Sequence, residues 1–277
     1  MKLRRSERLV DMTTYLMAHP STLIPLSYFS EQYQSAKSSI SEDLGIIKET
    51  LELKGKGTIL TVPGAAGGVK YIPNVGVEEA AQFINELCEM METPERLLPG
   101  GFLYMTDILG QPRLVDNVGR LIASRYRNHP IDIVMTVATK GIPIAYAVAR
   151  YLNVPVVIVR RDSLVTEGST ISINYVSGST KRIQTMVLSK RSLPKEANVL
   201  IVDDFMKAGG TVNGMVNLLE EFEAKVAGIA VLVEAEQAEE RLVDDYLSLM
   251  KLSDVNVREK MIKVDKGNFF AAAPSES

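Results

Sequence analysis

Five near-continuous apolar runs, at residues 102–105, 131–137, 154–160, 199–203 and 227–233, recur through the last two-thirds of the chain. A strand with one wet face alternates apolar and polar residues, so runs of this kind belong to strands covered on both faces. Between several of them lie stretches of helical length, 113–127, 142–152 and 211–223. Such alternation implies a mostly parallel α/β sheet, with ligand sites at the carboxyl ends of its strands. Residues 171–176 and 184–188, joined by "SGSTKR", read instead as an antiparallel hairpin with a mobile tip. An amphipathic helix at 77–91 and the punctuated linker "TPERLLPGG" lead into this region, and the tail "AAAPSES" is expected to be disordered.

One strand end raises a physical problem. In "VLIVDDFMKAGGT", residues 199–211, four aliphatic residues run straight into Asp203 and Asp204. Adjacent carboxylates at a sheet's ligand edge are costly unless donors or a metal sit opposite them. The vicinal hydroxyls of a ribose are such donors. Next, Lys207, Ala208, Gly209, Gly210 and Thr211 leave room for backbone N–H groups and a threonine hydroxyl to meet a phosphate at a helix start. The residues therefore suit a ribose 5-phosphate; a metal site or a plain acidic turn are the competing readings. Phe205 stands either as a platform for a purine ring or as a core aromatic.

The first 75 residues follow another pattern, three short helices and a hairpin. The third helix, "SAKSSISEDLGIIKETLE", places Ile40, Leu44, Ile47 and Leu51 on one stripe that must pack inward. Ser35, Ser38, Ser39 and Lys37 then lie away from that stripe at its start. "KGKGTILTVPGAAGGVKYIP" supplies two β-prone runs around a turn. This is the order of a winged helix-turn-helix domain, whose third helix would enter the major groove, with Lys2, Arg4, Arg5, Arg8, Lys56 and Lys70 as phosphate contacts. A helical dimerisation module is the alternative. Charge leans the same way: 9 basic against 7 acidic residues through position 75, and 22 against 27 beyond it. The boundary is expected at 74/75.

Residues 199–211 resemble the phosphoribosyl-pyrophosphate motif of type I phosphoribosyltransferases, and the likeness extends over most of 99–270. "MTVATKGIP" is similar to that family's pyrophosphate loop, with Thr139, Lys140 and Gly141 after a strand, and the hairpin at 170–188 resembles its flexible catalytic loop. With the winged-helix segment in front, the whole chain resembles the family of purine operon repressors of Gram-positive bacteria. That resemblance implies double-stranded operator DNA and a homodimer as partners, and 5-phosphoribosyl 1-pyrophosphate, with or without Mg2+, as an inducer. The guanine nucleotide (p)ppGpp is expected to compete for the same pocket. Family enzymes usually carry Ala-Thr where this chain has Lys207-Ala208, so a phosphate-binding hydroxyl is exchanged for a cation and turnover is not expected. A salvage phosphoribosyltransferase with an accessory front domain remains the rival reading.

The rest of the sequence excludes more than it suggests. No apolar stretch approaches the ~20 residues that span a bilayer, and the basic start "MKLRRSERLVD" lacks a signal peptide's apolar segment. A cytoplasmic protein without membrane contact is expected. The single cysteine, Cys88, reads as part of a helix face, and His19 and His129 as ordinary residues, so neither a disulfide nor a metal centre is expected.

Overall fold

The computed structural model describes residues 3–64, 66–98, 102–162, 165–176, 183–236, 241–256 and 259–271. Lys2, the hairpin tip 177–182 and residues 272–277 of the tail lie outside them.

The amino-terminal part comprises α1 (Arg5–Ala18), α2 (Leu26–Tyr33), α3 (Lys37–Leu53) and the antiparallel pair β1 (Gly57–Val62) and β2 (Gly68–Pro73). Ile24, between α1 and α2, bridges to Val69 and adds a third short rung to the hairpin. Gly68 permits that approach, since a Cβ there would lie 2.3 Å from the Ile24 carbonyl oxygen. The α3 stripe is buried as its spacing requires, Ile40, Leu44, Ile47 and Leu51 packing with Met12, Leu16 and Phe29. Each such side chain removed from water stabilises the unit by about 1.5–3 kcal/mol. This is the winged helix-turn-helix order. The helix begins at Lys37, with Ala36 at its cap, so Ser35 precedes it rather than opening it.

Next follow α4 (Val77–Met91), the two-residue strands β3 (Leu97–Leu98) and β4 (Phe102–Leu103), α5 (Thr106–Leu109), α6 (Pro112–Arg125), β5 (Ile133–Val137), α7 (Ile142–Leu152) and β6 (Val156–Val159). The hairpin β7 (Thr170–Val176) and β8 (Ile183–Ser189) leads to β9 (Asn198–Met206), α8 (Gly210–Glu221), β10 (Lys225–Ala235), β11 (Leu247–Asn256) and β12 (Met261–Lys266). The main sheet has the order β12-β11-β10-β9-β5-β6, parallel throughout except for β12. Two sequence expectations need correction. Residues 102–105 are not a strand of this sheet, because β4 pairs only with β3. β11 and β12, which no apolar run announced, extend the sheet instead; β12 alternates exposed and buried residues, as an antiparallel edge with one wet face should.

Helices α4, α6 and α7 cover one face of the sheet, while α8 and the β7–β8 hairpin cover the other. Cys88 is buried on the packed face of α4, where burial pushes its thiol up to about 11. Helices α6 and α7 approach so closely at Gly119 that a Cβ there would sit 2.5 Å from that of Ala147. Across the junction with the amino-terminal part, Ser21 donates to the Tyr151 carbonyl at the end of α7, 2.7 Å. Glu79 of α4 accepts from both Lys56 and Arg120. Burial alone would raise the Glu79 carboxyl, but these two cations outweigh it and hold it below the usual range.

Candidate functional site

The cleft arises because β9 outruns one neighbour. Its pairing with β5 ends at Met135 opposite Ile201, whereas pairing with β10 continues to Glu234 opposite Met206. Asp203 through Met206 therefore have strand on one side and the loop 138–141 on the other. Gly141 closes the gap: a Cβ added there would fall 2.5 Å from Thr136 Oγ1 and 2.9 Å from Asp203 Oδ1. No larger residue fits without moving the acid or the loop.

Asp203 is buried, with 4% of its surface exposed, and its Oδ1 accepts from the Asp204 backbone N–H at 2.9 Å. Burial pushes both carboxyls above the ordinary aspartate range. The charge of Asp204 raises Asp203 further, while Lys140 draws Asp204 partly back. Full charge on this pair is therefore disfavoured until a ligand brings donors or cationic charge to it.

Beyond the acids, Gly209 adopts φ +81°, a conformation that favours glycine, and caps α8; a Cβ there would also press on Val243. The Ala208 carbonyl accepts from the Leu242 N–H at 3.0 Å, so segment 241–243 fixes the loop from above. The N–H groups of the first turn of α8 have no intrahelical acceptor and suit an anion. Helix α7 starts directly after Gly141, but Pro143 has no N–H and the Ile142 N–H donates to the Thr139 carbonyl, so its first turn offers fewer free donors. The cleft thus gathers Thr139, Lys140, Gly141, Asp203, Asp204, Lys207, Ala208, Gly209, Gly210 and Thr211, with Thr139, Lys140 and Lys207 exposed. Phe205 is half-buried, packed against the core under α6 and α7. Thr136 and residues 241–243 were not foreseen, since nothing local in the sequence marks a contact across the fold.

The expected DNA-contacting residues divide. Lys37 and Ser38 are exposed on the first turn of α3, with Ser39 half-buried beside them, and Arg4 is exposed before α1. Arg8 corrects the expectation: its side chain is only 12% exposed, 2.6 Å from fully buried Asp43 and 3.2 Å from Ser35. Arg5 also binds Asp43, at 2.9 Å. These arginines clasp α1 to α3, leaving part of Arg5 on the surface. Lys56 is engaged by Glu79, and Lys70 faces the junction between the two parts. Asp43 could have been found in the sequence, because an acid inside an apolar helix stripe requires a cation.

Residues 4–73 match the family described as the bacterial purine repressor, N-terminal, and residues 105–265 match the phosphoribosyl transferase domain. The chain is 65% identical to the purine biosynthesis transcriptional repressor PurR of Bacillus subtilis, over 97% of this chain and 94% of that one. It is 48% identical to the purine biosynthesis transcriptional activator PurR of Lactococcus lactis, over 97% and 99% of the two chains. Among solved structures, adenine phosphoribosyltransferase from Thermoanaerobacter pseudethanolicus superposes with a TM-score of 0.53 at 22% identity, covering 60% of this chain and 98% of that one. At that identity the likeness speaks for the fold alone. A winged-helix front, a phosphoribosyltransferase fold behind it and near full-length similarity lead to one placement: the chain belongs to the PurR family of purine biosynthesis transcriptional regulators.

Proposed function

We propose that the chain represses genes of purine biosynthesis and transport by binding double-stranded operator DNA as a homodimer in the cytoplasm, and that 5-phosphoribosyl 1-pyrophosphate in the cleft relieves repression. The observation that carries the effector half is the buried pair Asp203 and Asp204 beside a glycine-rich helix start. Ribose hydroxyls would give the carboxylates donors, and phosphates would meet the first turns of α7 and α8 with Lys140 and Lys207. Mg2+ characteristically takes one or two carboxylates together with ligand phosphates. Asp203 and Asp204 suit that role, and no group of three or more His, Cys, Asp or Glu stands together among the described residues to form a cage without the effector. The ligand (p)ppGpp, with two pyrophosphate groups, competes for the same anion sites and leaves repression in force, its base resting on Phe205.

The sign of regulation follows the more similar relative, named a repressor, over those named activators. DNA is read by Lys37, Ser38 and Ser39 at the start of α3, with Arg4 on the backbone. One such helix covers few base pairs, so two copies are needed, joined through the carboxyl-terminal part. Helix α7 links the two functions physically. It starts at the loop that touches Asp203 and ends at the carbonyl held by Ser21, so a shift of loop 139–141 reaches the DNA-reading part through one rigid element.

A gel shift with purine-operon promoter DNA tests the proposal. Retarded DNA that is released by 5-phosphoribosyl 1-pyrophosphate supports it. DNA that is never retarded, or is held more tightly with the effector, refutes repression by this route.

A further inference from the structure

At the end of the molecule opposite the effector cleft, a second cavity of about 170 Å³ opens between β2 and the segments that follow α6 and α7. Lys70 enters it from the amino-terminal part, and Arg127 and His129 enter from the connection between α6 and β5. No acidic side chain lines it, and neither Lys70 nor Arg127 has an ion-pair partner among the described residues. Ser21, Tyr126, Tyr151 and a few aliphatic residues complete the lining, and more polar than apolar surface faces the space. Both tyrosine hydroxyls are engaged elsewhere, Tyr126 donating to the Ile229 carbonyl at 2.8 Å and Tyr151 to Asp116 at 2.7 Å. Their hydroxyl protons are therefore not free for a ligand in the cavity.

Uncompensated cations beside tyrosine and aliphatic side chains suit a ligand that is flat at one end and anionic at the other. At about 30 Å³ per water the space holds a few waters' volume, which limits the buried portion to one small ring system. We propose that this junction cavity binds a small heteroaromatic anion, its ring in the cavity and its phosphate or carboxylate on Lys70 and Arg127. Because its walls come from both parts of the chain, the ligand ties the DNA-reading part to the α6–α7 layer. Tyr151 closes α7, so the site lies at the far end of the helix that starts beside Asp203. It is distinct from the effector cleft, so an effector that fills the cleft does not exclude the second ligand.

The test uses full-length protein saturated with 5-phosphoribosyl 1-pyrophosphate and titrated calorimetrically with AMP, GMP and orotate. Adenosine and inorganic phosphate serve as probes of the ring alone and the anion alone. At least one ring-bearing anion is expected to bind one-to-one, at least tenfold tighter than either partial probe, and to raise the melting temperature. Arg127→Glu, an exposed position whose exchange leaves the core intact, should weaken that binding at least tenfold. Absence of heat with all three anions at millimolar concentration would overturn the proposal. So would displacement by the effector, or equal binding of phosphate alone. If Arg127→Glu instead weakens DNA binding without any added anion, the cations serve the duplex and the proposal fails.

Discussion

Asp203→Asn separates what the acid does for the ligand from what it does to the fold. In the ligand-free protein the carboxyl is buried beside Asp204, and burial and that neighbour raise it well above its ordinary value. A group whose folded-state value is raised supports stability fully below its unfolded value, about 3.9, and loses that support as pH climbs toward the folded value. Within that window the wild type loses up to about 1.4 kcal/mol per pH unit relative to a variant that cannot ionise. Asparagine keeps the Oδ1 that accepts from the Asp204 N–H and nearly the same volume. The variant should therefore melt higher than the wild type, by a margin that widens as pH rises above about 4 toward the folded-state value. For a domain of this size each kcal/mol of that loss corresponds to roughly 2–4 °C. Differential scanning calorimetry across that pH range measures the margin, and the same sample should lose the stabilisation that 5-phosphoribosyl 1-pyrophosphate gives the wild type. A variant that melts lower at every pH, or by a constant margin, would show that Asp203 holds the fold together rather than waiting for a ligand.

Three further expectations concern other parts of the chain. Asp43→Asn should destabilise the amino-terminal part by about 3–5 kcal/mol, because Arg8 would keep a nearly buried charge without its partner; a thermal melt unchanged within 1 °C would contradict the clasp. Arg4→Ala should weaken binding to every duplex and make the salt slope shallower by ~1, whereas Lys37→Ala or Ser38→Ala should act mainly on preferred operators; equal losses on random and operator DNA for all three would remove α3 as the reading element. Incubation with 5-phosphoribosyl 1-pyrophosphate and adenine, guanine, xanthine, hypoxanthine, uracil or orotate should yield no nucleotide, since Ala208 stands where family enzymes carry a hydroxyl; turnover at ordinary enzyme rates would restore the salvage reading.

Much of this site was legible because it is local. The acids, the glycine loop and the start of α8 follow one another along the chain, and the loop 139–141 carries its own strand-to-helix signature. What the sequence hid depends on contacts across the fold. Arg8 looked like one more surface cation until Asp43 was found opposite it, and Lys70 pointed to DNA until the packing of β2 turned it into the junction. Thr136 and Val243 matter only because Gly141 and Gly209 bring backbone against them. In the fold, β11 and β12 went unread because their polar residues break the apolar pattern. Ser248 of β11, for instance, is buried because its hydroxyl donates to Glu234 of β10 and accepts from the Asn268 N–H. Residues 102–105 misled for the opposite reason, an apolar run of which Leu103 and Met105 join the core beside α4–α6 while β4 pairs with β3 rather than with the sheet.

If a ligand in the cleft and DNA on α3 oppose each other through the protein, their effects on one another must be reciprocal. The dissociation constant of 5-phosphoribosyl 1-pyrophosphate should be measured by calorimetry twice, on free protein and on protein saturated with purine-operon duplex. The account expects the duplex to weaken effector binding by the same factor, in the range of about 5–150, by which the effector weakens duplex binding. Identical constants with and without DNA, or tighter binding on the duplex, would contradict it.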